Sequence, residues 1–392
     1  MSADHPQANR EPQPARVALA RCEGYSPDEV ARAVSALLAG LGGIERFLPA
    51  DGRVLLKPNL LKAVEPDAAV TTHPEVLRAV GRAVLDAGRE VAVGDSPGVG
   101  TLAAAMERSG LGAVARELGA AVKPFDEPVP VPRPGGARFR RVELARAAVD
   151  APAIINLPKV KTHQQMVLTL AVKNLFGCVV GRRKVGWHMN AGRDRNTMAR
   201  ALVEIAHAAG PSLSIADAVV GMEGAGPSQG DLRRFGFLAA SADPFSLDAV
   251  LAWLLGFEAS EVPTLCAAAD ARGDGLDVGE TELGRIELVG DPADELRPPD
   301  VRPPALGGLM FVPGFLTGVA RRLIRVRPAV DRAACRLCGV CVESCPAGAM
   351  KIVDRRVEID DTSCVGCFCC QELCPQGAVQ VRRGPLSRFF SR

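Results

Sequence analysis

Eight cysteines near the end of the chain form two copies of the pattern C-x2-C-x2-C-x3-C-P. The copies are Cys335, Cys338, Cys341 and Cys345 before Pro346, and Cys364, Cys367, Cys370 and Cys374 before Pro375. A close run of three cysteines can bind one [4Fe-4S] cluster, whose fourth ligand comes from the other run. The spacing therefore predicts two [4Fe-4S] clusters. Their predicted ligand sets are Cys335, Cys338, Cys341 and Cys374 for the first, and Cys364, Cys367, Cys370 and Cys345 for the second.

Two other uses of clustered cysteines compete with this interpretation, namely a disulfide framework and zinc binding. Disulfides need an oxidising compartment, and the polar segment 1–16 has no apolar stretch that would direct export. Structural zinc usually takes two C-x2-C pairs, not two runs of four that end in Cys-Pro. The iron–sulfur interpretation is therefore favoured. Cys369 lies between Cys367 and Cys370 outside the pattern, and it is predicted not to be a ligand.

Residues 330–382 resemble the bacterial two-cluster [4Fe-4S] ferredoxin module. The resemblance rests on the doubled cysteine pattern and on the matching tails CPAGAMKI and CPQGAVQV. It implies transfer of single electrons at low potential, with another redox protein as electron donor or acceptor.

The composition of the 392 residues bounds the class of protein. The length suits one large domain and a small appended one, and 47% apolar residues provide a sizeable core. A net charge of +2 gives no reason to expect a nucleic-acid partner. Only eight of the 47 basic residues are lysine, and four of these, Lys159, Lys161, Lys173 and Lys184, lie close together. Codon bias and chance clustering are the alternative explanation for this grouping.

The chain is expected to be cytoplasmic and without a membrane span. No apolar run reaches the ~18 residues that a span requires. The nearest candidate is 306–320, LGGLMFVPGFLTGVA, which contains a proline and four glycines. It is interpreted as a linker that packs on its own domain, and a segment lying on a membrane surface is the alternative.

From Arg16 onward, short apolar runs alternate with longer amphipathic runs, which predicts an α/β domain with a mostly parallel sheet. Capping boxes at 26–29 and 72–75 predict two helix starts. Strands are predicted at 53–56, 90–93, 153–157, 213–216 and 285–289, and helices near 167–175, 197–209 and 247–255. The predicted organisation is a disordered tail 1–15, a large α/β domain 16–292, a linker 293–329, a small α+β ferredoxin-type domain 330–384 and a tail 385–392.

Polar motifs follow four of the predicted strands. They are Lys57-Pro58-Asn59, Asp95-Ser96-Pro97-Gly98, Lys159 to His163, and Asp217 running into Glu223. Ligands of open α/β sheets bind at the carboxyl ends of the strands, where loops from non-consecutive strands meet. Although turns are usually polar, four such motifs predict a shared site, in which Lys57, Lys159, Lys161 and His163 bind one anion.

The segment 151–193 is strongly cationic and contains no acidic residue. Its lysines and arginines would attract a carboxylate or phosphate, so an anionic small molecule is predicted as ligand. A basic solvated surface and a nucleic-acid patch are the alternatives, and the second is disfavoured because only Phe176 and Trp187 could stack on bases. Lys173, Asn174 and His188 from this segment join the predicted site.

Two isolated features are weaker signals. Residues 98–103 fit G-x-G-x-x-A between a strand and a helix, as a dinucleotide fingerprint would, but no acidic partner follows convincingly. Cys178 lies beside the cationic run and could be an activated thiolate. A buried inert cysteine is the favoured interpretation.

The large domain resembles the DUF362 family. The resemblance covers about residues 16–292 and rests on motifs in order: VLLKPNLL, TTHPEVLRAV, VGDSPG, INLPKVKTH, TLAVKNLFG and GMEGAGP. Members of this family are often fused to a two-cluster ferredoxin. The resemblance implies cytoplasmic redox biochemistry and transfers no catalytic residue to this chain.

These observations predict an iron–sulfur oxidoreductase that passes single electrons to a bound anion. Lys161, His163 and His188 are the candidate catalytic residues. The candidate substrate-binding residues are Lys57, Asn59, Asp95, Lys159, Lys173, Asn174, Asp217 and Glu223. An electron-transfer adaptor for another redox protein and a non-redox enzyme with structural clusters remain alternatives.

Overall fold

The computed structural model describes residues 15–304, apart from 182 and 193, and residues 327–382. The predicted tail 385–392, all but the last residue of the predicted tail 1–15 and most of the predicted linker at 293–329 lie outside these ranges, so the domain boundaries stay a prediction.

The large domain is built on a ten-stranded sheet. Its strands are β1 (Ala15–Arg21), β2 (Arg53–Pro58), β3 (Glu90–Asp95), β4 (Ala121–Pro124), β7 (Ala153–Leu157), β8 (Lys159–His163), β9 (Val167–Thr169), β10 (Leu213–Glu223), β11 (Asp231–Ser241) and β12 (Ile286–Gly290). The order is β12-β1-β11-β10-β7-β2-β3-β4, and β8 pairs with β10 and β9. Most neighbouring pairs are parallel, and β11 is antiparallel to both β1 and β10. The predicted fold class is therefore confirmed.

Helices cover both faces of this sheet. They are α1 (Pro27–Gly40), α2 (Pro74–Asp86), α3 (Leu102–Arg108), α4 (Leu111–Glu117), α5 (Arg146–Val149), α6 (Ala171–Asn174), α7 (Arg183–Ala191), α8 (Arg195–Ala209), α9 (Pro244–Leu254), α10 (Pro263–Gly273) and α11 (Ala293–Leu296). A short two-stranded sheet, β5 (Pro128–Pro130) with β6 (Glu143–Ala145), lies apart.

The side chains of strand β2 pack against helices on both faces of the sheet. Val54 and Leu56 pack into the apolar cluster that includes residues of α1 and α2, whereas Leu55 packs into the cluster that includes residues of α8. Successive side chains of a strand point to opposite faces, so a strand that is covered on both sides reads as a continuous apolar run.

Both predicted helix starts are confirmed, but neither capping box forms. Ser26 caps no backbone N–H with its side chain, and the carboxylate of Glu29 accepts hydrogen bonds from the N–H groups of Glu23 and Gly24. At α2 the cap is His73, whose side chain accepts from Glu75 N. The Thr72 hydroxyl instead donates to Leu157 O and accepts from Asn59 N, which ties α2 to the ends of β2 and β7.

The helix predicted near 167–175 is wrong in its first half. Residues 167–169 form β9, which makes a hairpin with β8, and only the short helix α6 and a 3-10 turn follow. The apolar run is buried by sheet pairing, and periodicity alone could not separate that from a buried helix. The helix α6 begins where the Asp248 carboxylate accepts hydrogen bonds from Ala171 N and Val172 N.

The C-terminal module contains two antiparallel strand pairs and two short helices. Its elements are β13 (Arg327–Val330), β14 (Met350–Val353), β15 (Arg356–Ile359), β16 (Val379–Arg382), α12 (Val340–Glu343) and α13 (Cys369–Leu373). β13 pairs with β16, and β14 pairs with β15. Helices α12 and α13 occupy equivalent places in the two cysteine runs, so the sequence repeat is also a structural repeat. None of the helices formed by the described residues is long and apolar enough to cross a bilayer.

Candidate functional site

The eight patterned cysteines line two separate cavities of the module. One is called here the Cys374 cavity, and its cysteines are Cys335, Cys338, Cys341 and Cys374. The other is called the Cys345 cavity, and its cysteines are Cys345, Cys364, Cys367 and Cys370. Each cavity thus combines three cysteines of one run with the last cysteine of the other.

The donor set of each cavity fits an iron–sulfur cluster, because four cysteines line one cavity and a [4Fe-4S] cluster takes four cysteine ligands. Among the described residues, no three His, Cys, Asp or Glu side chains lie close enough together to hold a single metal ion. Cys369 is buried and lines neither cavity as described. Its side chain is hydrogen-bonded to Cys367, and this contact and burial raise the pKa of the Cys369 thiol.

Helix α13 joins the module to the large domain. Gln371 Nε2 donates to Ala225 O at 3.1 Å, and Gln229 Nε2 donates to Cys374 O at 2.9 Å. Lys62 Nζ and Ser228 Oγ both donate to Glu372 O, the former at 3.4 Å. This helix, which contains Cys370 of the Cys345 cavity and ends just before Cys374 of the other, is therefore held against the large domain by polar contacts of its backbone and side chains.

The side chain of Glu372 enters the cationic region of the large domain. Its Oε1 lies 3.4 Å from His163 Nε2. Burial alone would raise the pKa of Glu372, but His163, Lys173 and His188 outweigh it and hold that pKa below its usual range. The described part of the chain thus brings a carboxylate of the module to the predicted anion site.

The His163 tautomer follows from its other contacts. Nδ1 accepts hydrogen bonds from Gln165 N and Met166 N, both at 3.1 Å, so the ring proton lies on Nε2, toward Glu372. Burial lowers the pKa of His163 despite Glu372, and it lowers the pKa of His188 to about 4. Both imidazoles are therefore neutral near pH 7, and the ammonium group of Lys173 supplies positive charge beside Glu372.

Two of the predicted anion-binding lysines are already paired with carboxylates of the chain. Lys57 Nζ lies 3.0 Å from Asp95 Oδ1, and Lys159 Nζ lies 2.8 Å from Asp217 Oδ2, with all four side chains buried. Burial lowers the pKa of Lys159, and Asp217 opposes this effect. Internal carboxylates thus relieve the repulsion that the lysine cluster would otherwise create. The positions also correct one expectation, because these residues lie within strands and not in loops beyond them.

Lys161 lies in a network of amide side chains. Its Nζ donates to Asn59 Oδ1 at 2.8 Å and to Val70 O at 2.6 Å. Asn59 Nδ2 donates to Asn174 Oδ1, and Asn174 Nδ2 donates to Asn156 Oδ1. Burial lowers the pKa of Lys161 to about 7. A lysine with this pKa can hold or release a proton near neutral pH.

Residues 159, 161 and 163 alternate along β8, so their side chains share one face of that strand. Along this face the Lys159–Asp217 pair comes first, the Lys161–Asn59 network second, and His163 with Glu372 last. Asn174 also approaches Lys57 O at 3.5 Å. The structure thus brings most of the predicted site residues into one buried polar band. Their roles in binding and catalysis stay predictions.

Glu223 lies apart from this band. Its carboxylate accepts from the backbone N and the guanidinium Nε of Arg302, the latter at 2.7 Å. It therefore fastens the segment that follows the large domain, at the far end of β10 from Asp217.

Several residues of the band were missed by the sequence analysis. The Tyr25 hydroxyl donates to Asp217 Oδ1 at 2.7 Å and accepts from Lys159 Nζ at 2.6 Å, and its ring stacks on His73 at 3.6 Å. Tyr25 is the single tyrosine of the chain, a signal that could have singled it out. No local sequence pattern could have identified Glu372, because its contact with His163 forms only when the C-terminal module packs on the large domain.

The two weaker signals have structural explanations. Burial raises the pKa of Cys178 to about 12, which agrees with a buried inert thiol. Gly98 donates its N–H to Leu61 O, and a side chain there would meet Leu61 and Leu373 of α13. This glycine therefore allows the module to approach closely, and a dinucleotide is not needed to explain it.

The comparisons with known proteins match both parts of the chain. The family described as "Domain of unknown function (DUF362)" matches residues 54–253, and a "4Fe-4S dicluster domain" matches residues 327–375. The "Thylakoid-associated protein sll1697" of Synechocystis sp. (strain ATCC 27184 / PCC 6803 / Kazusa) is 40% identical over 258 residues, which are 64% of this chain and 78% of that protein.

Two solved structures show a weaker similarity. One is a protein from Thermotoga maritima, with 12% identity and a TM-score of 0.34 over 50% of this chain and 51% of that chain. The other is the lactate racemase apoprotein from Thermoanaerobacterium thermosaccharolyticum, with 12% identity and a TM-score of 0.39 over 60% and 55%. The chain spans about half the length of each.

Proposed function

Because the chain belongs to the DUF362 family and carries a 4Fe-4S dicluster domain, we propose that it is an iron–sulfur oxidoreductase acting on an anionic small molecule. In this proposal two [4Fe-4S] clusters supply single electrons. Their ligands are the four cysteines of the Cys374 cavity and the four cysteines of the Cys345 cavity.

One observation carries the proposal: helix α13 is docked on the polar band of the large domain. Cys370 and Cys374 flank Glu372, whose carboxylate lies 3.4 Å from His163 Nε2. A pure electron carrier has no need to place the helix between its cluster ligands against buried lysines and histidines. A substrate held at this boundary would lie beside both the cluster-binding cysteines and the groups that can donate protons.

The charge and pKa of each residue of the polar band suggest its proposed role. Lys173 and His188 lie beside the Glu372 carboxylate, so they are the proposed contacts for an incoming anion. Lys57 and Lys159, which are paired with Asp95 and Asp217, would fix the shape and polarity of the buried side of the substrate site. Lys161, with its pKa lowered to about 7, is the proposed proton donor. His163 would orient the carboxylate through its Nε2 proton.

The adaptor function remains the second candidate, since a related protein is named as thylakoid-associated and such a name fits a carrier that serves other redox proteins. In that case a redox protein replaces the small anion as acceptor. A cytoplasmic location is part of the first proposal only.

The two functions are separated by reoxidation of anaerobically reduced protein with a panel of small carboxylates and phosphate esters. At least one anion should restore the oxidised visible spectrum of the clusters. Lys173→Met should raise the half-saturating concentration of that anion about tenfold, as expected for loss of one partly buried charge contact. The control is Lys351→Met, an exposed lysine of β14. Reoxidation by redox proteins but by no anion would instead support the adaptor.

The pH dependence of the same reaction tests Lys161. A proton donor must be protonated, and the pKa of Lys161 is lowered to about 7, so the reoxidation rate should fall as the pH rises above 7, by up to about tenfold per pH unit. Lys161→Met should be slower and should lose this dependence. Lys161→Arg keeps the charge but does not release the proton, so it should also be slow. A Lys161→Met variant with the wild-type pH profile would exclude this role.

A further inference from the structure

The two cysteine cavities differ in the charges around them. The Cys374 cavity is lined in part by Arg336 and Gln376, and its residue Cys338 is exposed. The described lining of the Cys345 cavity contains no charged side chain. It consists of cysteines, a glycine and apolar residues: Pro328, Pro346, Ala347, Ala349, Met350, Ile359, Val365, Gly366 and Phe368.

The large domain adds a second positive charge on the side of the Cys374 cavity. Lys62 is only 7% exposed, and its Nζ donates to the carbonyl of Glu372, two residues before Cys374. Gln229 holds the Cys374 carbonyl at 2.9 Å, which fixes this end of α13 against the large domain. Burial lowers the pKa of Lys62, and the nearby Cys374 and Glu372 oppose that shift.

Charge and solvation set the potential of an iron–sulfur cluster. Reduction adds a negative charge, so a nearby cation raises the reduction potential and an apolar wall lowers it. One contact would reduce the difference between the two clusters. Ala349 N donates to Cys345 Sγ at 3.2 Å, and this hydrogen bond would raise the reduction potential of the cluster in the Cys345 cavity. A single neutral N–H dipole is weaker than the full charges of Lys62 and Arg336.

We propose that Lys62 makes the two clusters inequivalent by raising the potential of the cluster bound through Cys374 above that of the other. Lys62 is thus a positioning residue, since its charge favours the reduced form of the cluster bound through Cys374. The inference rests on the proposed ligand sets and electron-transfer function. It implies that electrons pass downhill from the cluster of the Cys345 cavity to the cluster of the Cys374 cavity.

The test is an anaerobic potentiometric titration of the full-length holoprotein, followed by electron paramagnetic resonance. Wild type should show two resolved one-electron couples. Lys62→Met should shift the higher couple downward and leave the lower couple in place, whereas Lys62→Arg should restore it. Arg336→Met removes an exposed side chain and should shift the same couple in the same direction. The control is Lys351→Met, which should leave both couples unchanged.

The outcomes separate this inference from the proposed function. If Lys62→Met retains both clusters but shifts neither couple, or shifts both equally, the inference is wrong and the function proposal stands. If the lower couple is the one that shifts, the order of the clusters is reversed and the inference is also wrong. If the wild-type protein contains no iron, the proposed function fails first, and the inference fails with it.

Discussion

Replacement of Cys374 by alanine should remove one of the two clusters. Wild-type protein purified without oxygen is expected to contain about eight irons and eight acid-labile sulfides, because two complete ligand sets are present. The variant should contain about four of each. Cys374 is the last cysteine of the second run in sequence, yet it lines the cavity that holds the first three cysteines of the first run. The surviving cluster should therefore have the three ligands of the second run.

Cys369→Ala is the matched control, because Cys369 is similarly buried and begins the helix that ends just before Cys374. Its iron content should equal that of wild type. Cys345→Ala should lose the other cluster, so the two single variants should each keep a different couple. Loss of iron in Cys369→Ala, or retention of eight irons in Cys374→Ala, would overturn the ligand assignment. Zinc in place of iron would remove the redox function.

Glu372→Lys should separate the module from the large domain. The substitution replaces the carboxylate beside His163, Lys173 and His188 with a cation. The introduced ammonium would lie beside Lys173 without a buried partner, and an uncompensated buried charge is strongly destabilising. Small-angle scattering should show a more extended molecule. Anion-driven reoxidation should fall more than tenfold, whereas the iron content should stay unchanged because Glu372 is not a ligand.

Glu343→Lys is the control that the repeat provides. Glu343 lies between Cys341 and Cys345 just as Glu372 lies between Cys370 and Cys374, but Glu343 is exposed. The Glu343→Lys substitution makes the same charge change at the equivalent position of the first cysteine run. It should leave the shape of the molecule and the reoxidation rate as in wild type. If Glu343→Lys and Glu372→Lys behave alike, the docked helix is not the link between the two parts of the chain.

The cysteine sets could be predicted from the sequence because their pattern is local and its chemistry is specific. Each run fixes three thiolates within seven residues, and the repeat itself supplies the fourth ligand. The family and the fold class were also predictable, since alternating strand and helix signals extend over the whole large domain. The scarcity of lysine identified Lys161 and Lys159 correctly as unusual residues, since both are buried in the polar band.

The partners of the buried charged residues could not be predicted, because they depend on contacts between segments that are distant in sequence. The segment 159–163 was expected as a loop but pairs with β10 and β9 as a strand, which buries its lysines. The partners of Lys57 and Lys159 come from distant strands, and Glu372 comes from another domain. Thr72 resembled a helix cap, but tertiary contacts to Leu157 and Asn59 recruit its hydroxyl. Such pairings are determined by the folded topology.

The most direct test of the central claim is a crystal structure of the anaerobic holoprotein with anomalous scattering measured at the iron edge. Two four-iron peaks are expected, one in the Cys374 cavity and one in the Cys345 cavity. The Glu372 carboxylate, or an anion that has displaced it, is expected within hydrogen-bonding distance of His163 Nε2. An iron signal in neither cavity, or a module turned so that Glu372 faces solvent away from His163, would contradict the proposed clusters and the docking of α13.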